Sequence, residues 1–148
     1  MQSSFLRKTA IAAILLAVPL VLLCFAFLLP PQYDGTYLAG LQDKTELLKD
    51  TEGRKIVLIG GSGAAFDVRS DLLEEQLPGY SVINYGLYAG LGTTVMLDLS
   101  KPYVREGDLV VFLPEQNEQT LSTFFDAESL WQASDGAFPP LTRLGSGE

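Results

Sequence analysis

The sequence contains no histidine and a single cysteine, Cys24, and these two absences exclude several kinds of site. One cysteine cannot form a disulfide within its own chain. Without histidine, and without a cluster of cysteines, the usual ligand sets for zinc are missing. We therefore expect no metal site and no bound cofactor.

Basic residues are also scarce. The chain has 10 lysines and arginines against 18 acidic residues, a net charge of −8. All 18 acidic residues follow Pro30, together with 8 of the basic ones, so residues 31–148 carry a net charge of −10. No basic stripe alternates with aromatic residues, and nucleic acid is not expected as a partner.

The longest single feature is an uncharged run of 21 residues from Thr9 to Leu29. As a helix it would be about 31 Å long, close to the roughly 30 Å hydrocarbon core of a bilayer. The alternative is a cleaved signal peptide, whose apolar region is about 7–15 residues long and ends at small residues. Here bulky residues from Phe25 onward close the run, and Cys24 follows two leucines, a poor lipoprotein site. We predict an uncleaved transmembrane helix over residues 9–29.

The basic residues around this run indicate its orientation. Arg7 and Lys8 precede it, and the first basic residue after it is Lys44. The positive-inside rule then places residues 1–8 in the cytoplasm and everything after the helix outside. We expect a single-pass protein of the cell membrane, in contact with the lipid bilayer, with an extracytoplasmic domain.

Residues 30–54 are predicted to form a juxtamembrane linker with an amphipathic helix. Within 36–49, Leu38, Leu41, Thr45 and Leu48 recur at the spacing of one helix face. From residue 55 the pattern changes to short apolar runs at 55–59, 80–85 and 109–113, which predict three buried strands. Segments 64–77 and 93–104 between them predict helices.

In the first of these helices, Ser70 is a candidate N-cap, and Leu72, Leu73 and Leu77 are expected to face inward. Strands alternating with helices are typical of an α/β fold, a parallel sheet with helices on both faces. Residues 118–148 show no further clear strand. We therefore expect the domain over residues 55–148 to be incomplete.

Ligands of open parallel sheets bind at the carboxyl ends of the strands, here the loops 60–63, 84–92 and 114–119. Ser62 follows the first strand directly, in the sequence Gly-Gly-Ser-Gly. Its hydroxyl would lie at the sheet edge, where backbone N–H groups can stabilise an oxyanion. The alternative is that this segment is a tight strand-to-helix turn without a catalytic role.

Two other motifs partly match the same segment. Residues 61–66 resemble a dinucleotide fingerprint, but Phe66 stands where its third glycine or alanine belongs, and Asn84 stands where an acidic residue would bind the ribose. Residues 60–64 differ in one residue from the nucleophile elbow Gly-x-Ser-x-Gly. That elbow follows several earlier strands in α/β-hydrolases, whereas here it follows the first.

The order of motifs resembles the SGNH/GDSL hydrolase superfamily, and more closely its membrane-anchored bacterial branch linked to cell-surface polymers. Gly-Gly-Ser follows one strand, Asn-Tyr-Gly ends the next, and Gly-Leu-Tyr-Ala-Gly-Leu-Gly leads into a helix that ends at a Gly-Asp turn. The resemblance covers residues 36–117. It implies the N-terminal part of a flavodoxin-like, SGNH-type three-layer sheet, truncated before its last strands.

The resemblance also implies roles for individual residues. Ser62 matches the nucleophile, although the usual Gly-Asp-Ser is Gly-Gly-Ser here, and Gly86 matches a glycine whose N–H contributes to the oxyanion hole. Asn117 is the candidate for the oxyanion-hole amide, in a segment from Pro114 that matches the third motif poorly. Glu115 and Asn117 alternatively belong to a solvated loop.

The last motif of the family, Asp-x-x-His, is absent. It supplies the general base, without which a serine stays a weak nucleophile. The 148-residue chain is therefore expected to have little or no hydrolase activity by itself. A fragment, a truncated gene and a lineage that lost catalysis are the three explanations, and truncation is the one we favour.

Three functions remain open at this point. The first is an ester hydrolase or acyltransferase acting on a surface polysaccharide or teichoic-acid-like polymer. The second is a non-catalytic scaffold or binding member of a cell-envelope assembly, with other assembly proteins as partners, and the third is a nucleotide-binding domain. Tyr85, Tyr88 and Trp131 are candidates for stacking on sugar rings, although strand and core packing is the commoner use of aromatic residues.

Overall fold

The computed structural model describes residues 2–26, 29–115 and 125–135 of the chain. Two compact units are present, Met1–Pro31 and Gln32–Glu148. The first contains one helix, α1 (Gln2–Ala26), with Pro19 inside it. Its segment Leu6–Phe25 is long and apolar enough to cross a membrane, a criterion that a signal sequence also meets. The predicted N-terminal apolar helix is confirmed, although it begins at residue 2 rather than 9.

The second unit alternates strands and helices. Its elements in chain order are α2 (Gly40–Asp50), β1 (Lys55–Gly60), α3 (Ser62–Asp67), α4 (Ser70–Gln76), β2 (Ser81–Asn84), α5 (Thr93–Ser100), β3 (Leu109–Leu113) and α6 (Ala127–Ser134). Two short 3₁₀ turns, at residues 89–91 and 101–103, flank α5.

The three strands form one parallel sheet in the order β2-β1-β3. In the central strand, Val57 lies opposite Ile83 of β2 and Val110 of β3. The predicted mixed α/β fold with a parallel sheet is confirmed. Because all three strands run in the same direction, the loops that follow them, which contain Ser62, Gly86 and Glu115, emerge at one edge of the sheet.

Side chains of β1 alternate between two apolar clusters, one on each face of the sheet. Val57 and Ile59 belong to the larger cluster, to which α2, α5 and α6 contribute Leu48, Val95 and Leu130. The opposite face has a smaller cluster, with the three buried residues Ile56, Leu58 and Val82 and the partly buried Val68, Tyr80 and Leu113 around them. Most of the buried apolar surface therefore lies on one side of the sheet.

The helix predicted over residues 64–77, on the side of the smaller cluster, differs from the observed structure. The segment expected as a single helix over 64–77 is broken into α3 and α4, and Ser70 begins α4 without acting as its N-cap. Leu72, Leu73 and Leu77 were expected to face inward but are 38% to 50% exposed. The spacing of leucines identifies one face of a helix, but it cannot establish that a neighbouring surface covers that face.

Strand β3 differs from its prediction in the same way. Its bounds, Leu109–Leu113, are those expected, but it lies at an edge of the described sheet. The side chains from Leu109 to Phe112 are 38% to 49% exposed, whereas those of the central strand from Lys55 to Ile59 are buried. A short apolar run therefore predicted a strand correctly and its burial incorrectly.

Helix α6 was not predicted. Its N-cap is Asp126, whose carboxylate accepts hydrogen bonds from the N–H groups of Glu128 and Ser129. Leu130 and Ala133 anchor it in the larger apolar cluster. The helix has only eight residues, so its apolar period was too short to be recognised in the sequence.

An ion pair is buried at the amino ends of the strands, away from the loops that follow them. The Lys55 ammonium lies 3.3 Å from Asp108 Oδ2, at ion-pair distance but without hydrogen-bond geometry, and both side chains are buried. Asp108 also accepts hydrogen bonds from two backbone N–H groups, those of Lys55 and Arg105, each at 2.8 Å. This carboxylate joins the start of β1 to the turn before β3.

Candidate functional site

Ser62 is the first residue of α3, two residues beyond the end of the central strand. It is partly buried, and its hydroxyl donates a hydrogen bond to Glu115 Oε1 at 3.3 Å. The predicted position of Ser62, at the carboxyl edge of the sheet and the start of a helix, matches this structure. Its hydroxyl is directed at a carboxylate.

Glu115 lies two residues beyond β3, and its carboxylate links two loops. Oε1 accepts the hydrogen bond from Ser62 and a second one, at 3.1 Å, from the backbone N–H of Gly63. The interpretation of Glu115 as a solvated loop residue did not foresee these contacts. The sequence signal for these contacts was an acidic residue just after the third predicted strand, at the same edge of the sheet as the Gly-Gly-Ser segment.

The glycines before Ser62 allow this close approach. A Cβ on Gly61 would lie 2.2 Å from Glu115 Oε1 and 2.8 Å from the Cβ of Ala89. A Cβ on Gly60 would lie 2.7 Å from the carbonyl oxygen of Leu113. In the described structure, the space beside these glycines is occupied by Leu113 and Glu115, at and after the end of β3, and by Ala64 and Ala89.

Gly86 lies in the loop after β2, and its N–H donates to the side-chain oxygen of Asn84 at 3.1 Å. The amide nitrogen of Asn84 donates to the carbonyl oxygen of Ala64 at 2.8 Å, which fixes the start of α3. A Cβ on Gly86 would lie 2.7 Å from the Cβ of Ala64. Gly86 thus allows the loop to contact α3, and its N–H is bonded within the loop.

The other predicted site residues are placed differently. Asn117 lies outside the described residues. Tyr85 has no exposed surface, its hydroxyl bonds to that of Thr45 at 2.9 Å, and burial raises its pKa to about 12. Tyr85 is therefore a core residue that cannot stack on a sugar, whereas Tyr88 and Trp131 are exposed.

Tyr37, which the sequence did not single out, lies beside the Ser62 loop. Its ring stacks on Phe66 at a centroid separation of 5.2 Å and an interplanar angle of 21°. Its hydroxyl donates to the carbonyl oxygen of Leu87. Burial raises the pKa of Tyr37, and the negative charge of Glu115 raises it further.

Lys44 of α2 also reaches this edge of the sheet. Its ammonium donates to the carbonyl oxygen of Asn84 at 2.7 Å, and burial lowers its pKa. The contact connects α2 to the last residue of β2. Lys44 bonds the backbone oxygen of Asn84, whereas the Asn84 side chain bonds Gly86 and Ala64.

A small cleft, partly open to solvent, adjoins Glu115. Its lining comes from the ends of β1 and β3, the loop after β2 and the start of α5, and consists of Ile59, Gly60, Gly61, Tyr88, Ala89, Gly92, Thr93, Met96, Phe112, Leu113, Pro114 and Glu115. Ser62 is not among these residues. Its neighbour Gly61 and its hydrogen-bond partner Glu115 are.

The site combines a hydroxyl, a carboxylate and several backbone N–H groups. Within residues 2–26, 29–115 and 125–135, no three Asp, Glu or Cys side chains are grouped as a metal ion would require. A carboxylate can orient the serine hydroxyl, but it is a much weaker base than imidazole. Comparison of the chain with protein-family models, curated proteins and solved structures found no match.

Proposed function

We propose that this protein is a membrane-tethered, extracytoplasmic ester hydrolase or acyltransferase of the SGNH/GDSL kind, acting on an acylated cell-surface glycan or polymer. The observation that carries the proposal is the Ser62–Glu115 contact at the carboxyl ends of β1 and β3. It brings a nucleophile-type hydroxyl and a carboxylate together in the loops where open parallel sheets bind their ligands.

In the proposed reaction, Ser62 Oγ attacks the carbonyl carbon of an acyl ester. The hydroxyl proton passes to an imidazole base, and the tetrahedral intermediate collapses to an acyl-serine with release of the polymer hydroxyl. Water or a second alcohol then takes the acyl group and regenerates the serine. The 148 residues contain no histidine, so the proposed reaction requires an imidazole that they do not supply.

A serine-directed fluorophosphonate probe tests this proposal. The full-length protein, in native membranes and purified in detergent, is treated with the probe, with and without free imidazole as a substitute base. We expect labelling that disappears in Ser62→Ala and persists in Ser70→Ala, a second partly buried serine at a helix start. If no labelling depends on Ser62 under any of these conditions, the catalytic proposal is wrong.

The membrane placement has its own test. In a Cys24→Ser background, a cysteine introduced at the exposed Glu128 should react with a membrane-impermeant maleimide added to intact cells. A cysteine introduced at Gln2 should react only after lysis, because Arg7 and Lys8, near the start of α1, favour a cytoplasmic N-terminus. Labelling of Gln2→Cys in intact cells would show that the orientation is the opposite of the one proposed. Recovery of a shortened, secreted protein would show that α1 is a signal sequence.

A second candidate function is a non-catalytic scaffold or binding member of an envelope assembly. It is favoured by the hydrogen bond from the Gly63 N–H to Glu115, since an N–H that already serves the protein's own carboxylate is not free for an oxyanion. Under this proposal Ser62→Ala fully restores envelope function in cells that lack the wild-type protein. Under the catalytic proposal it restores none.

A further inference from the structure

Phe66 is an apolar side chain with an unusually open position. It is 70% exposed and lies four residues after Ser62 in α3. Residues four apart lie on the same face of a helix, one turn from each other. The ring of Phe66 is therefore presented to solvent one helical turn from the serine hydroxyl.

Tyr37 supports this ring from below. The two rings stack with centroids 5.2 Å apart, and the Tyr37 hydroxyl is fixed by its bond to the Leu87 carbonyl oxygen. We call this stacked pair, Tyr37 and Phe66, the aromatic platform. Its geometry is set before any ligand arrives, which reduces the entropy lost on binding.

The start of the helix that carries Phe66 is acidic. A side chain placed on Gly63 would lie 3.8 Å from Glu115 Oε1 and 3.9 Å from Asp67 Oδ2, so carboxylates lie on two sides of the helix start. Residues 60–67 include no lysine or arginine, and residues 31–148 have a net charge of −10. A polyanion would be repelled here, while hydroxyl groups of a neutral ligand would find strong acceptors.

We propose that the aromatic platform binds a pyranose ring of an uncharged glycan, with the carboxylates of Glu115 and Asp67 accepting hydrogen bonds from the sugar hydroxyls. The C–H face of the sugar covers the open ring of Phe66, and the polymer then passes the Ser62 hydroxyl. The inference rests on the proposed function only for the role of the bound glycan as substrate. It selects a neutral glycan over a teichoic-acid-like polyanion.

Calorimetric titration of the full-length protein in detergent tests the platform. The probes are neutral hexasaccharides of glucose, galactose and N-acetylglucosamine, with hexagalacturonate as the matched anionic ligand. We expect binding of at least one neutral hexasaccharide and none of hexagalacturonate. Phe66→Ala should weaken this binding about tenfold, Phe66→Trp should retain it, and Leu72→Ala, which removes another exposed apolar side chain, should leave it unchanged.

The binding result is separable from catalysis, because calorimetric titration and Ser62-dependent probe labelling are independent measurements. Phe66-dependent binding without Ser62-dependent probe labelling would support the platform and refute the hydrolase. The platform is overturned if no neutral hexasaccharide binds at millimolar concentration, if hexagalacturonate binds as well as the neutral ligands, or if Phe66→Ala has no more effect than Leu72→Ala.

Discussion

Replacing Asp108 by asparagine removes the negative partner of a buried lysine. Both side chains of the Lys55–Asp108 pair are buried, and the carboxylate also accepts the N–H groups of Lys55 and Arg105. Breaking a buried pair by removing one partner typically costs roughly 3–5 kcal/mol, because the remaining charge is left uncompensated. Asparagine also offers one acceptor oxygen where the carboxylate offers two.

A loss of this size is large for a domain whose whole stability is about 5–15 kcal/mol. With a urea dependence of about 2 kcal/mol per molar, the unfolding midpoint of Asp108→Asn should fall by roughly 2 M. The assay is a urea titration of the full-length protein in detergent, followed by the fluorescence of Trp131 and by circular dichroism. Asp98→Asn, at an exposed position in α5, serves as the matched control and should have almost no effect.

The dependence on pH provides a second measurement of the same pair. Burial acts to raise the pKa of Asp108, but hydrogen bonds from Arg105 and Lys55 and the Lys55 ammonium outweigh it and hold the pKa below its ordinary value of 3.8. A carboxyl whose pKa is lower in the folded state stabilises the fold above its unfolded pKa. That stability is lost as the pH falls through the folded pKa. The wild type should therefore lose more stability than Asp108→Asn as the pH falls below about 4.

The double variant Lys55→Met, Asp108→Asn completes the test. Because it removes the uncompensated charge, it should recover part of the stability that Asp108→Asn loses. The reasoning is refuted if Asp108→Asn costs less than about 1 kcal/mol, if Asp98→Asn costs as much, or if the double variant is no more stable than Asp108→Asn.

Three further substitutions test other parts of the structure. Gly60→Ala should destabilise the protein by about 1–3 kcal/mol, because its Cβ would meet a backbone carbonyl at 2.7 Å. The control Gly40→Ala, whose added Cβ would meet no neighbouring atom within 4 Å, should leave the stability unchanged. Equal unfolding midpoints of the two variants in urea would contradict this prediction. Asn84→Ala should cost about 1–3 kcal/mol and speed hydrogen exchange of the Gly86 amide, and unchanged exchange would show that their bond is unimportant. Val111→Lys should reduce self-association measured by light scattering, since a charge on an exposed apolar edge strand opposes edge-to-edge pairing; unchanged association would exclude that edge as the contact.

The strands could be predicted because the information for them is local. The run from Lys55 is apolar, β-branched and ended by glycines, and the run from Leu109 is ended by Pro114, so both were located nearly to the residue. Their burial could not be predicted, since it depends on which strand is central and which lies at an edge. The same limit applies to Leu72 and Leu73, whose helical spacing is correct although they are exposed.

The site could be predicted in part for a similar reason. The position of Ser62 follows from the chain order of strand, glycines and helix. The contact of Ser62 with Glu115 joins residues 53 positions apart, and it depends on β3 lying next to β1. The stacking of Tyr37 on Phe66 depends on the path of the chain before α2, where the sequence pattern predicted a helix from residue 36 but α2 begins at Gly40.

Glu115 is the residue on which the two candidate functions diverge. As the described structure stands, its carboxylate holds both the Ser62 hydroxyl and the Gly63 N–H, so the proposed nucleophile and a candidate oxyanion donor are bound to the same oxygen. Catalysis therefore requires the carboxylate to leave Gly63 when an acyl group arrives, and an acyl oxyanion to replace it there. In a scaffold the same two bonds simply fix the ends of β1 and β3 to each other. Glu115→Gln keeps an oxygen that can accept both hydrogen bonds but removes the negative charge. A purely structural role of Glu115 would survive this substitution. A catalytic role, in which an oxyanion replaces the carboxylate at the Gly63 N–H, would not.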